Sequence, residues 1–158
     1  MLVCLTMRDH VAFFDTLLRY EIQLWDALDG AVQREHGLSL GRLRALRVLR
    51  ERGGRARVQD LAADLLITVG AASKLVDRLE RDGTAHREPN PDDRRSSLIA
   101  LTPSGTSVLD AGLATFEATL ADCLAVEGAA EGDLAPITAR LQRLLDHLES
   151  RTRAGVAS

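Results

Sequence analysis

Catalysis needs groups that attack, move protons or hold an ion, and this sequence offers none of them at a usable spacing. His10, His36, His86 and His147 lie far apart with no metal-ligand spacing, and no serine or cysteine has an evident base beside it. Cys4 and Cys123 form neither a metal cluster nor a disulfide framework, as in a reduced compartment. No metal, no cofactor and no enzymatic activity are therefore expected. The run Pro91-Asp92-Asp93-Arg94-Arg95-Ser96-Ser97-Leu98-Ile99-Ala100-Leu101-Thr102-Pro103 is different in kind. Two carboxylates abut two guanidiniums, lead into an apolar strand, and stop at Thr-Pro. Asp92-Asp93 can imitate a cation site, but the adjacent arginines oppose a cation. What remains is charge-assisted hydrogen bonding, in which a carboxylate holds a guanidinium while leaving donors free for an anion. Taken alone, the same residues also read as a solvated loop tip.

Net charge decides little until it is divided along the chain. The 158 residues carry a formal −3. Residues 1–41 hold three Arg against six acids, and residues 101–158 hold four against eight. Residues 42–100 hold thirteen Lys/Arg against nine acids. A positive middle between negative flanks points to a basic working face and a polyanionic partner. No apolar run approaches the roughly 20 residues of a membrane span. MLVCLTMRDH is too short and too soon charged for a signal peptide. A cytoplasmic protein with no membrane association is expected.

The elements that position these residues follow from periodicity. Val11, Phe14, Leu18, Ile22, Trp25, Leu28 and Val32 recur at three and four, predicting a long helix over about 9–35. Gly37 stops it, and Ser39 caps a second helix over about 40–52 in which Leu43, Leu46 and Leu49 interleave with arginines. A short helix over 58–65, the link Leu66-Ile67, and a helix capped by Thr68 and ending at Asp82-Gly83 make a helix-turn-helix. Residues 85–88 and 97–101 then read as a hairpin, stiffened at its tip by Pro89 and Pro91. Thr102 caps the next helix with Pro103 at its first position, so the Thr-Pro ending is a strand-to-helix joint. That helix carries Leu109, Leu113, Phe116, Leu120 and Cys123 on a stripe, where a thiol is inert. Asp133 caps a last helix with the seam Ile137, Leu141, Leu144 and Leu148. The flanking helices present more apolar surface than the small module can cover, and a homodimer is the simplest cover.

The span LAADLLITVGAASKLVDRLERDG, followed by HREPNPDDRRSSLIALTPSG, resembles the MarR family of winged helix-turn-helix transcriptional regulators. The diagnostic residues are Asp93-Arg94-Arg95, matching the family's Asp-x-Arg, and Leu101-Thr102 with Gly105, matching Leu-Thr-x-x-Gly. The resemblance is specific over residues 38–108 and architectural at both ends. It implies a mainly α fold with a small β-hairpin wing. A winged helix-turn-helix module at 38–102 is flanked by N- and C-terminal dimerisation helices at 9–37 and 103–153. Thr84 departs from the family, which usually has a larger apolar residue there, and is expected to loosen the base of the wing.

The resemblance also assigns roles. Arg95 enters a minor groove, Asp93 orients it, and Arg94 and Arg87 contact phosphates. Thr68, Val69, Gly70, Ser73 and Lys74 face base edges in the major groove, while Arg78 meets backbone phosphates. The implied partners are double-stranded DNA, a second copy of the chain, and a small aromatic or anionic effector. Phe14, Tyr20, Trp25, His36 and Arg47 are the candidate lining of an effector crevice. The rival from another class is a winged-helix protein–protein interaction module without DNA binding.

Overall fold

A computed structural model describes residues 7–91, 96–125 and 134–156, with side chains as far as residue 151. Among the described residues, no helix is long and apolar enough to cross a membrane. The chain divides into two compact units, residues 1–123 and 124–158. The fold is mainly helical with one small antiparallel sheet, as the sequence predicts. The first unit contains α1 (Met7–His36), α2 (Leu40–Glu51), β1 (Arg55–Arg57), α3 (Val58–Leu65), α4 (Val69–Arg81), β2 (Ala85–Pro89), β3 (Ser97–Leu101) and nearly all of α5 (Pro103–Leu124). The second holds α6 (Leu134–Val156). Its expected cap, Asp133, lies outside the described residues, as does Cys4.

Helix α2 is the centre of the core. Leu43, Leu46 and Leu49 are fully buried, against Val32 of α1, Leu61 of α3, Val76 and Leu79 of α4, Ile99 of β3 and Leu109 of α5. Its charged positions fall on the other faces, which is what interleaving leucine and arginine at helical spacing produces. Ser39 caps it, accepting from the Arg42 N–H. The sheet order is β1-β3-β2, with Arg57 paired to Leu98 and Glu88 to Leu98 across the two ladders. Burial fades along α5: Leu109 and Gly112 are buried, Leu113, Phe116 and Leu120 are half-buried, and Cys123 is exposed. Cys123 therefore does not sit on a packed stripe, because the core ends before the last turn of the helix.

Two backbone contacts fix how the hairpin joins the helices. Gly83, at φ 69°, turns the chain out of α4. At the other joint, Thr102 Oγ1 donates to Gly83 O at 2.8 Å and accepts from Gly105 N at 2.9 Å, capping α5. A Cβ on Gly105 would sit 1.9 Å from the Thr84 carbonyl oxygen. The glycine of Leu-Thr-x-x-Gly is thus required by close helix–hairpin approach. Thr84 does not loosen this base. It is buried, and its hydroxyl donates to Leu79 O at 3.1 Å, satisfying the polar atom that replaces an apolar group.

Candidate nucleic-acid interface

Helix α4 is held by its two ends and along one side, which leaves its outer face available. At its start, Thr68 Oγ1 accepts from the Ala71 N–H at 3.2 Å. Thr68 is therefore the cap, and its O–H and one lone pair remain for a partner elsewhere. At its end, Arg42 Nη1 donates to Asp82 at 2.5 Å while Nη2 reaches the Gly37 carbonyl at 2.9 Å. One arginine thus joins the α1–α2 turn to the end of α4. On the inner face Ala72, Val76 and Leu79 are buried. At 100° per residue, Gly70, Lys74, Asp77 and Arg81 then fall along the opposite line, with Arg78 and Ser73 on its flanks. Ser73 is half-buried, and Lys74, Arg78 and Arg81 are exposed. Gly70 has open space where a Cβ would be, so neither backbone strain nor internal packing requires a glycine there.

Ion pairing sorts the basic segment. Arg42 pairs with Asp82, Arg47 with Glu51, Arg50 with Asp110, Arg52 with Asp64, and Arg55 with Glu88. Arg87, expected to face phosphates, instead sends its guanidinium to Asp77 at 2.8 Å and to Glu80, whose carboxylate also accepts the Arg87 backbone N–H at 3.0 Å. In this geometry Arg87 is a brace between β2 and α4. Among the described residues of the module, Lys74, Arg78 and Arg81 form no ion pair, and neither do Arg44, which lies over the Trp25 ring, and Arg57; α4 thus carries the largest group of uncompensated cations, on and beside its outer face. Asp77 on the same face is already neutralised by Arg87.

The helix preceding α4 is fixed by another ion pair. Arg52 donates to Asp64 through Nε at 2.6 Å and Nη2 at 2.9 Å, a two-pronged contact between the end of α2 and α3. This hydrogen bonding lowers the Asp64 pKa and raises that of Arg52. Beyond β2, Asn90 is buried and its Nδ2 donates to Ser96 Oγ at 2.8 Å, closing the hairpin just inside its tip. Asp93, Arg94 and Arg95 lie outside the described residues.

The candidate effector residues do not converge. Phe14 and His36 are separated by about 33 Å along α1 at 1.5 Å per residue, too far to line one pocket in one chain. Phe14 and Tyr20 are exposed, and His36 is hydrogen-bonded to Thr115 Oγ1 at 2.8 Å. Only Trp25 and Arg47 come near a common cavity. It has a volume of about 10 Å³, close to the room one water molecule needs, and is lined by Leu40, Leu43, Arg44, Arg47, Leu113 and Phe116. Arg44 lies 5.5 Å over the Trp25 ring at its edge. The buried Arg47 Nε makes no hydrogen bond; Glu51 is 3.5 Å away, within ion-pair range but misaligned. Phe116 and Arg44 were legible as a stripe aromatic and a helix cation, but no local signal links them.

Sequence reading also missed the brace and the turn. Asp77 and Glu80, three apart on one side of α4, were the available sign that a cation would pack there. Leu66 and Ile67 passed as a link, although two large apolar residues in a turn are unusual. Leu66 has φ 56° and is 89% exposed.

Comparison with known proteins adds three findings. Residues 38–97 match the model of the MarR family. The HTH-type transcriptional regulator YkoM of Bacillus subtilis is 35% identical over 77 residues, covering 49% of this chain and 49% of that protein. The match thus spans about half the length of this relative. Among solved structures, AbsC, a MarR family transcriptional regulator from Streptomyces coelicolor, aligns with TM-score 0.80 and 24% identity over 92% of this chain and 97% of that one. Sco3205 from the same organism, also a MarR family regulator, was crystallised in complex with DNA. It aligns with TM-score 0.78 and 24% identity over 90% and 88%. At such identity the structural likeness is one of fold.

Proposed function

On the premise that the chain belongs to the MarR family, through the module at residues 38–97, we propose that it is a dimeric, sequence-specific DNA-binding repressor. In this reading two copies place their α4 helices in successive major grooves of a pseudo-palindrome, and a small ligand releases them. The observation that carries it is the sorting of charge: Lys74, Arg78 and Arg81 stand without acid partners on the exposed side of one helix, while Arg42, Arg47, Arg50, Arg52, Arg55 and Arg87 are each paired with a carboxylate and only Arg44 and Arg57 of the other described arginines of the module are not. A face of that kind suits a polyanion, and its helix suits the width of a major groove. Val69, Gly70, Ser73 and Lys74 take the base edges, and Arg78 a phosphate. Asp93 orients Arg95 into the minor groove, with Arg94 on a phosphate. The residues 9–37 and 103–153 supply the dimer, and 38–102 the DNA-binding module.

The ligand reading rests on the cavity beside Arg44 and Arg47, where a buried guanidinium N–H lacks a hydrogen-bond acceptor. A small aromatic or anionic molecule has the matching chemistry. At about 10 Å³ the cavity is far smaller than the usual ligand pocket of about 300 Å³ or more, so in this reading α5 must move away from α2 to admit the ligand.

The test is a gel shift with DNA from upstream of the chain's own gene at two salt concentrations. Lys74→Ala with Arg78→Ala should abolish the shift while the circular dichroism and melting temperature stay unchanged. Undiminished binding by that variant contradicts the assignment of α4.

A further inference from the structure

Within residues 38–101, the exposed large apolar side chains among the described residues are Leu66, Ile67 and Val69, at 89%, 38% and 52%. All three fall within four positions, in the turn before α4 and at its first residue. A single exposed apolar residue needs no explanation, but a cluster that gathers every such residue of a module does. Folding does not account for it. Among the described residues, none packs over the cluster closely enough to bury it. At Leu66 the left-handed backbone also disfavours leucine where glycine or asparagine would be relaxed. The occupant also meets the N-terminal half of α4, where the exposed Lys74 forms no ion pair, which argues for an anion bearing apolar projections. Double-stranded DNA meets both conditions, because each thymine displays a 5-methyl group on the floor of the major groove.

We infer that Val69 contacts the 5-methyl group of a thymine in each DNA half-site, making that methyl a determinant of sequence preference. The inference rests on the DNA-binding reading given above and specifies what is read. Val69 is the residue of the cluster that lies on α4 itself, next to Gly70, where the absent side chain leaves room for a base to approach. Leu66 and Ile67 lie before the helix and shield the contact from water.

The experiment begins with duplexes selected from a random pool by the full-length protein. Each thymine of the selected site is then replaced by deoxyuridine, which removes the methyl and nothing else. At one thymine of each half-site, affinity should fall about fourfold per methyl, the value of one buried carbon. Val69→Ser should bind more weakly and become indifferent to that same replacement, with its melting temperature unchanged. If deoxyuridine has no effect anywhere while sequence-specific binding persists, the inference fails, the DNA-binding reading stands, and the cluster is left for a protein partner. If the methyl effect survives in Val69→Ser, the assignment to Val69 is overturned. If no sequence is enriched at all, the DNA-binding reading fails and takes this inference with it.

Discussion

At the scale of single residues, the joints of the module are set by atoms with no slack. Gly105 sits where a methyl would strike the Thr84 carbonyl, so Gly105→Ala must push α5 away from the hairpin. A loss of about 2–3 kcal/mol is expected from chemical denaturation, in line with overpacking a tight contact. Asp64 gives the module a pH dependence. Its pKa in the folded state is lowered, chiefly by the hydrogen bonds from Arg52. Its stabilisation is therefore complete above the ordinary carboxylate range and is lost as pH falls through that range towards the folded value. Melting temperatures measured between pH 7 and pH 3 should show an acid-side decline that is shallower in Asp64→Asn. An identical decline in both proteins contradicts the assignment. Both carboxylate and guanidinium are substantially exposed, so the effect is modest.

At the scale of elements, α4 and β2 act as one piece because Arg87 joins them. A positioning residue and a phosphate contact differ in how mutants respond to salt. Arg78→Ala should make the dependence of log affinity on log salt shallower by about 0.9 per subunit, the value of one phosphate contact. Arg87→Ala should leave that slope nearly unchanged while weakening specific binding by about 1 kcal/mol, comparable to an exposed ion pair. Equal changes of slope would return Arg87 to the phosphate. The sequence was legible here in part. Thr68, Gly83 and Thr102 mark element ends because capping and left-handed turns are local requirements, and the helices begin and end where these residues place them. The partner of Arg87 was not legible, because it depends on which side of α4 the hairpin returns to. The cavity beside Arg47 was equally hidden, since α2 and α5 meet there from distant parts of the chain. The family resemblance implied a crevice lined by Phe14, Tyr20, Trp25, His36 and Arg47, but Phe14 and His36 stand about 33 Å apart along α1, too far to hold one ligand within a chain.

At the scale of the whole molecule, the flanking helices carry too much uncovered apolar surface for a solitary chain. Every described residue from Met7 to Gln23 is exposed, including Val11, Phe14, Leu18 and Ile22 on one stripe. Helix α6 exposes Leu134, Ile137, Leu144, Leu145 and Leu148. Faces of this extent are ordinarily covered, and a second copy of the chain brings the same two faces. Deleting residues 133–158 should leave an aggregating or unfolded chain in sedimentation velocity, and a well-folded monomer would contradict the dimer. The proposed dimer would in turn set the spacing of its two α4 helices, and that spacing is the central claim in its most measurable form. Hydroxyl-radical footprinting on a selected duplex should show two symmetric protected half-sites on one face, with centres roughly 34–36 Å apart. Both should vanish together in Lys74→Ala with Arg78→Ala. A single asymmetric protected patch, or two patches at an unrelated spacing, would contradict the account.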